Sequence, residues 1–421
     1  MDEEKTMEMR QVSELVWRED LYPRTNPNAQ KIQTYAENID VLPPIEINQS
    51  NIIIDGYHRW RAYQTAKLSE IPVIVTLTDS EEQLLMLAVE RNSQHGLQLS
   101  RDEKRKYAVR WWDIMPEDEI CLALSISPRT FRTWTSKKRE QREEEIKKEI
   151  IARWMRCETQ EDIADAVGVS LGTINGKLAK FFKNDHLTES EIFGSFEPKI
   201  YTVWNFGKST NKIKHFGNIP PEILDNLLYY YTKPLDVMFD PFGGGGMSID
   251  VCKKRQRRLY VSDLSPIPAR ITEIRQHDIT TGLPGDLPVP DFVFLDPPYW
   301  KQAAGKYSDK ATDLGNVDLD AFLKTIGNIA RDVKRKWGTS HPDARLAIIV
   351  GPWKQDGRYI DLPFLCYERI AKYLDLDVRI QVPYSTQVHG GAFVKMAKEQ
   401  KQLLYLTRDL MVFRRNNGTE I

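Results

Sequence analysis

The sharpest chemical signal in the chain is DFVFLDPPYW, residues 291–300. An apolar run of strand type ends in a carboxylate, Asp296, followed by two prolines that fix the backbone, Pro297 and Pro298, and by the aromatic face of Tyr299. Such a segment makes little sense as packing, because two prolines cannot continue a central strand and the charge would be buried. A second cluster lies upstream in LDVMFDPFGGGGMSID, where an apolar run ends at Asp240 and four glycines, Gly243 to Gly246, precede a helix start. With every Cβ removed, the backbone of that turn can approach a ligand at the carboxyl end of a strand, although a glycine run alone reads equally as a flexible turn. Twenty-three residues after Asp240, RLYVSD ends in Asp263. A doubly wound nucleotide site keeps an acid there for ribose hydroxyls, and an acid in that place also suits an N-cap for the turn Leu264–Pro266. Position and glycine turn together favour a nucleoside cofactor, and Asp278, in QHDIT, falls where a third strand should end.

The elements that must hold these residues follow from the apolar pattern. The runs LDVMFD, RLYVSD, DFVFLD and RLAIIVG each end near Asp or Gly and alternate with helix-length or loop segments, which predicts a Rossmann-like, doubly wound parallel sheet. After Trp300 the remaining strands come from RLAIIVG, LDVRIQVPY and QLLYLTRDLMVFRR. No large target-recognition domain fits between them. Lys306 and Tyr307, in the loop after Trp300, are DNA-side candidates, ahead of His389 in QVHGGAF, which reads as a strand connection. Leu224, Leu227, Leu228 and Tyr231 share one helical face and belong to the core.

The Asp-Pro-Pro-Tyr segment resembles the catalytic motif of amino-group DNA methyltransferases, and DPFGGGG resembles their S-adenosyl-L-methionine motif. The resemblance covers roughly 200–421, and its motif order excludes the circularly permuted class. It implies that the Asp296 carboxylate and the Pro297 carbonyl accept hydrogen bonds from an exocyclic amine, with Pro298 fixing the segment and Tyr299 stacking on a base rotated out of the duplex. It further implies that Asp240, Phe242, Gly243 and Gly245 hold the methionine end of the cofactor, Asp263 the ribose and Asp278 the adenine amine. His215, Asn218 and Trp204-Asn205-Phe206 are further cofactor-side candidates. Asp before Pro-Pro-Tyr favours adenine N6 over cytosine N4.

The N-terminal half has other chemistry. In PPIEINQSNIIIDGYHRWRAY (43–63), strand, turn and strand lead into a helix opened by Gly56 and carrying His58, Arg59 and Arg61. Backbone amides at a helix start, with arginines, make a phosphate site; a basic surface helix packed by Trp60 and Tyr63 is the equal alternative. The segment resembles the ParB/sulfiredoxin superfamily over roughly 10–110, including Pro23-Arg24. Against the ParB box Gly-Glu-Arg-Arg-x-Arg-Ala, which binds the triphosphate of CTP, Tyr57 and His58 replace Glu and the first Arg, while Arg59, Arg61 and Ala62 remain. The second box survives only as Asn92 in RNSQH. Tyr57 stands where a sulfiredoxin needs cysteine, which excludes that chemistry.

Residues 117–139 and 159–183 both look like helix–turn–helix units, with packed helical hairpins as the alternative. Their second helices carry Arg129, Thr130 and Arg132 in the first unit, and Thr173, Asn175 and Lys177 in the second, as candidates for the major groove. The charged run 137–156 reads as a solvated connecting helix. The expected organisation is therefore an α+β ParB-like domain (1–110), an all-α helix–turn–helix region (111–190) and an α/β methyltransferase domain (195–421).

Composition sets the outer bounds. Lys plus Arg is 59 and Asp plus Glu is 60 in 421 residues, a net charge of −1. That sum hides local basic runs at 129–139, 211–218 and 253–258, so nucleic acid is not excluded, only binding by bulk charge. Four scattered cysteines form no CxxC pair, arguing against a zinc cage or a disulfide framework. The charged start MDEEKTMEMR and the absence of a long apolar run lead to the expectation of a cytoplasmic protein without membrane insertion. The sequence thus points to a DNA methyltransferase with S-adenosyl-L-methionine as cofactor and double-stranded DNA as partner, with CTP as a further ligand of doubtful standing and a homodimer through the N-terminal modules as a further option. The rivals are an N4-cytosine or RNA amino-methyltransferase, a protein glutamine methyltransferase, and a ParB-like partition or regulatory protein with an inactive methylase domain.

Overall fold

The computed structural model describes residues 7–19, 28–94, 99–184, 186–207, 219–355, 358–384 and 391–416. The chain forms two compact units, 1–145 and 146–421, and the division falls inside a long helix. No helix among the described residues is long and apolar enough to cross a membrane.

In the first unit, strands β1 (Met7–Gln11), β2 (Ile45–Ile47), β3 (Ile53–Asp55) and β4 (Glu70–Val75) form a sheet in the order β1-β4-β2-β3, with β2 and β4 parallel. Helix α1 (Ala29–Glu37) precedes the sheet centre, and α2 (Tyr57–Thr65) follows β3 directly. Gly56, at φ 109°, makes the turn into α2, a left-handed conformation that a side chain would strain. Ile45, Ile47, Ile71 and Val73 are fully buried and form the sheet's core with Val12, Leu15 and Tyr63. A second core joins α3 (Glu81–Gln94), α4 (Arg101–Trp111), α5 (Glu117–Ala123) and the start of α6 (Pro128–Met155) through Leu85, Trp111, Leu124 and Phe131. The charged run is thus the body of a 28-residue helix, whose N-terminal part is the second helix of the first hairpin.

The second unit begins with the end of α6, then α7 (Gln160–Val167), α8 (Leu171–Asn184) and α9 (Glu189–Phe193). Its sheet contains β5 (Val237–Asp240), β6 (Arg258–Asp263), β7 (Arg275–Gln276), β8 (Phe292–Leu295), β9 (Arg345–Val350), β12 (Leu374–Pro383) and β13 (Thr407–Arg415). A separate hairpin is made by β10 (Trp353–Gln355) and β11 (Arg358–Ile360). The order is β12-β13-β9-β8-β5-β6-β7. The strands from β7 to β9 pair in parallel, and β13 enters antiparallel between β9 and β12. Winding starts at β5, proceeds outward through β6 and β7, then returns to β8 on the other side, so a crevice opens where β5 and β8 diverge at their carboxyl ends. Helices α10 (Pro221–Tyr231), α11 (Met247–Lys254), α12 (Leu319–Trp337), α13 (Leu362–Ile370) and α14 (Gly391–Glu399) complete the unit. Both sheet faces are covered, which explains why β5, β8 and β9 are apolar without alternation.

One sequence expectation is corrected by the packing. The basic run 253–258 is only in part a cationic surface: Lys253 and Lys254 are exposed, but Arg255 and Arg257 have side chains only 5% and 0% exposed. Arg255 bonds Asp225 at 2.7 Å and lies over the rings of Phe193 and Phe196. Arg257 donates to Glu189 at 2.9 Å and to Thr232 at 2.8 Å. The buried Asp225, the partly exposed Glu189 and backbone carbonyls claim these guanidiniums, a demand that local charge in a sequence does not reveal.

Candidate active site

The crevice is built from the turn outward. The Gly243 amide donates to the Ser262 carbonyl at 2.9 Å, and a Cβ at Gly243 would stand 2.7 Å from Val261 Cγ2, so glycine alone lets the turn lie against β6. Gly244, at φ 48°, directs its amide to Asp263 Oδ2 at 2.9 Å. Asp263 Oδ1 also accepts from the Ser265 amide at 2.8 Å, so this acid pins both the glycine turn and the loop after its own strand. Asp240 closes β5, is 4% exposed, and accepts from the Phe242 amide at 2.9 Å. Burial pushes its pKa up to about 6, with the Ser248 hydroxyl and the Phe242 amide opposing and Asp263 adding to the rise. Asp278 caps the turn Ile279–Thr281 and accepts from the amide and hydroxyl of Thr280 at 3.0 and 2.7 Å. Burial would raise its pKa, but hydrogen bonds from Thr280 and Thr312 hold it below the ordinary carboxylate range.

Asp296 follows β8 directly and is half-buried. Burial pushes its pKa up to about 7; Arg408 and Tyr299 oppose the rise and Asp240 adds to it. Asp240, Asp263, Asp278 and Asp296 border one cleft, together with Phe242, Gly243, Gly245 and Pro298. Pro297 and Tyr299 do not border it. Pro297 is buried, and Tyr299 packs its ring on the core while its hydroxyl is sealed from solvent. Asn218 and His215 lie outside the described residues, as do Pro23, Arg24 and His389.

Several lining groups carry no motif. Ser248 on α11 borders the cleft with a buried hydroxyl that lies beside the Asp240 carboxylate and stabilises its charge. Tyr307, Ser308, Thr312 and Asp313 come from the loop after Trp300. That loop is held by Asp313, which accepts from Ser308 at 2.7 Å, and by Asn316, which donates to the Ser308 carbonyl at 2.9 Å. Lys310 crosses from it to the Leu264 carbonyl at 2.8 Å. In sequence it reads as an ordinary polar loop, and only the preceding Asp296 segment marks it.

The ParB N-terminal domain family matches residues 1–92, and the N6/N4 DNA methylase family matches residues 72–272. The chain is thus similar to a ParB N-terminal domain over its first 92 residues and to a DNA methylase over residues 72–272. The methylase match includes Asp240, the glycine turn and Asp263 and stops before Asp278 and Asp296. A probable chromosome-partitioning protein ParB of Rickettsia bellii is 35% identical over 91 residues, 21% of this chain and 32% of the relative. The type II methyltransferase M.Cfr9I of Citrobacter freundii is 30% identical over 91 residues, 21% of this chain and 30% of the relative. The chain thus spans about a third of the length of these curated relatives. Among solved structures, a truncated ParB from Caulobacter crescentus complexed with CTP-gamma-S aligns at TM-score 0.20 and 16% identity, over 41% of this chain and 99% of that one. A putative sarcosine dimethylglycine methyltransferase from Galdieria sulphuraria aligns at TM-score 0.29 and 16% identity, over 47% and 85% of the two chains.

In the ParB domain the candidate phosphate groups are engaged internally. Arg59 donates to the carbonyls of Pro43 and Pro44 at 2.9 and 2.6 Å and to Asp55 at 2.6 Å. His58 is buried, with Nε2 accepting from the Asn28 amide at 3.0 Å. Arg61 bonds Gln64 at 2.8 Å on the exposed side of α2. In the first helical hairpin, Thr130 bonds the capping Ser127, Arg132 pairs with Glu117 at 2.8 Å, and Arg129 is exposed. In the second, Gly168 turns between α7 and α8 at φ 71°, Thr173 bonds the capping Ser170, Asn175 is exposed and Lys177 half-exposed. This hairpin packs on Ile150 and Trp154 of α6 through Ile163, Ile174 and Leu178. The same end of α6 is fastened to the methylase sheet: Arg258 of β6 lies 4.0 Å from the Trp154 ring, Arg275 of β7 bonds the Arg156 carbonyl at 2.9 Å, and Cys157 is buried in the sheet's core.

Proposed function

We propose that the protein is an S-adenosyl-L-methionine-dependent DNA methyltransferase acting on the exocyclic amine of a base, N6 of adenine, and that its ParB domain and helical hairpins deliver it to double-stranded DNA. The observation that carries the proposal is the charge of the cleft: five aspartates, Asp240, Asp263, Asp278, Asp296 and Asp313, border it, and no lysine, arginine or histidine does so among the described residues. A glycine turn so lined repels phosphates and suits a nucleoside bearing positive charge, as a sulfonium amino acid does. When bound, that cofactor supplies a methyl group already activated for transfer. The protein's part is to orient the amine and hold its protons. Asp240 and the glycine turn would hold the ammonium end, Asp263 the ribose, Asp278 the adenine amine. The Asp296 carboxylate and the Pro297 carbonyl would accept from the target amine and leave its lone pair free, and the Tyr299 ring would flank the base. The engagement of Arg59 by Pro43, Pro44 and Asp55 supports DNA delivery without CTP.

Incubating the protein with methyl-labelled cofactor and unmethylated duplex DNA, then digesting to nucleosides, tests the reading. Label in N6-methyladenosine supports it; label in N4-methylcytosine alone overturns the choice of base, and label in RNA alone overturns the substrate class.

A further inference from the structure

Two buried polar groups beside Asp296 have no role in the transfer chemistry on which this inference rests. The Tyr299 hydroxyl and Arg408 Nε are sealed from solvent and interact with each other without closing to a well-formed hydrogen bond. Arg408 sits on β13, 6% exposed, with its guanidinium 4.6 Å from the centre of the Tyr384 ring. These side chains converge on Gly351, where a Cβ would lie 3.0 Å from the Tyr384 hydroxyl, 3.5 Å from Arg408 Cγ and 3.7 Å from Tyr299 Cε2. The neighbouring acid, Asp409, is bound by Arg379 and Gln381, and successive strand residues face opposite sides, so it does not serve Arg408. A desolvated guanidinium is costly unless its surroundings compensate it, and here Tyr299, Tyr384 and Asp296 together outweigh the burial and keep Arg408 charged.

The titratable and charged groups that act electrostatically with Asp296 are Asp240 from β5, Arg408 from β13, Tyr384 after β12, Tyr307 from the loop beyond Trp300, and Tyr299 from its own segment. Arg408 is the cation among them. We propose that Arg408 is a positioning residue of the transfer site, a fixed positive charge that orients Asp296 toward the target amine and donates through Nε to the Tyr299 hydroxyl when a base enters. Burial and Asp240 favour the protonated acid; Arg408 favours the carboxylate, the form that accepts from an amine.

The test uses the full chain carrying carboxyl-labelled aspartate, with the Asp296 resonance assigned by its loss in Asp296→Asn. In Arg408→Gln the Asp296 titration midpoint should rise by about one pH unit, and transfer at neutral pH should fall about tenfold and recover on the alkaline side. Arg408→Lys keeps the charge and loses the Nε donor, so its midpoint should stay in place while kcat falls about fivefold, the worth of one hydrogen bond, with KM unchanged. An unmoved midpoint in Arg408→Gln overturns the proposal. A wild-type kcat in Arg408→Lys overturns it as well, even if Arg408→Gln does not fold. A wild-type chain that transfers no methyl group while the midpoint still moves in Arg408→Gln overturns the methyltransferase reading and supports the electrostatic role of Arg408.

Discussion

Replacing Asp240 with Asn should stabilise the methylase unit at alkaline pH while weakening cofactor binding, and the size of the gain follows from burial. Asp240 is 4% exposed, and its pKa stands at about 6 against an ordinary 3.8. A carboxyl whose pKa is raised by folding holds its proton longer in the folded chain. The resulting stability is fully present below the unfolded pKa and is lost as pH rises through the folded one. At 1.36 kcal/mol per pH unit the difference is about 3 kcal/mol, carried by the wild type as a penalty above roughly pH 6. Asn keeps the acceptor for the Phe242 amide, 2.9 Å away in the wild type, and never ionises. The variant should therefore gain about 3 kcal/mol near pH 8 and almost nothing near pH 4. Urea unfolding of the full chain at both pH values, read by hydrogen exchange of the Val237–Asp240 amides, assigns the change to this unit, and calorimetry should show S-adenosyl-L-methionine affinity falling about tenfold, the worth of one charged contact. An equal gain at both pH values would refute the linkage reasoning. No gain on the alkaline side would refute the burial of a charge at Asp240.

Asp296→Asn should abolish methyl transfer, by roughly a thousandfold or more, with cofactor affinity unchanged by calorimetry; transfer near the wild-type rate would remove Asp296 from the mechanism. Gly243→Ala places a Cβ 2.7 Å from Val261 Cγ2, so thermal unfolding should show a loss of about 1–3 kcal/mol together with loss of cofactor binding. Arg257→Ala strands Thr232 and Glu189 around a side chain of zero exposure and should cost about 3 kcal/mol in denaturant unfolding without changing DNA affinity, contrary to what its basic run suggests. Lys177→Ala should weaken duplex binding and reduce the salt slope by about one, measured by titrations at several salt concentrations, with cofactor affinity intact.

Asp240 and Asp296 were legible because strand ends announce themselves: an apolar run that stops at Asp, followed by proline, leaves few other structures, and Asp263 and Asp278 follow from their places in the same succession of strands. The sheet was legible for the same reason, and Leu224, Leu227 and Leu228 are fully buried as their spacing predicts. Arg408 and Tyr384 were not, because they come beside Tyr299 at Gly351 through the antiparallel entry of β13 beside β9, a pairing that spans the last third of the domain. The fate of Arg255 and Arg257 was hidden too, since their partners Asp225 and Glu189 lie 30 and 68 residues away. The division of the chain within α6 leaves no mark in composition, because a solvated helix looks alike on both sides of the break.

The fastening of α7 and α8 to the sheet has a consequence for how target preference can change. Arg258 opens the strand that Asp263 closes, so the hairpin and the cleft share one rigid lever of six residues. If α8 meets the duplex, the number of base pairs between what it touches and the base that is modified is a constant of the fold, with no slack to average over neighbouring positions. New specificity then arises by substitution on the exposed face of α8, at Asn175 and its neighbours. Exchanging the hairpin for another reader would have to rebuild the seats that Arg258 and Arg275 now fill.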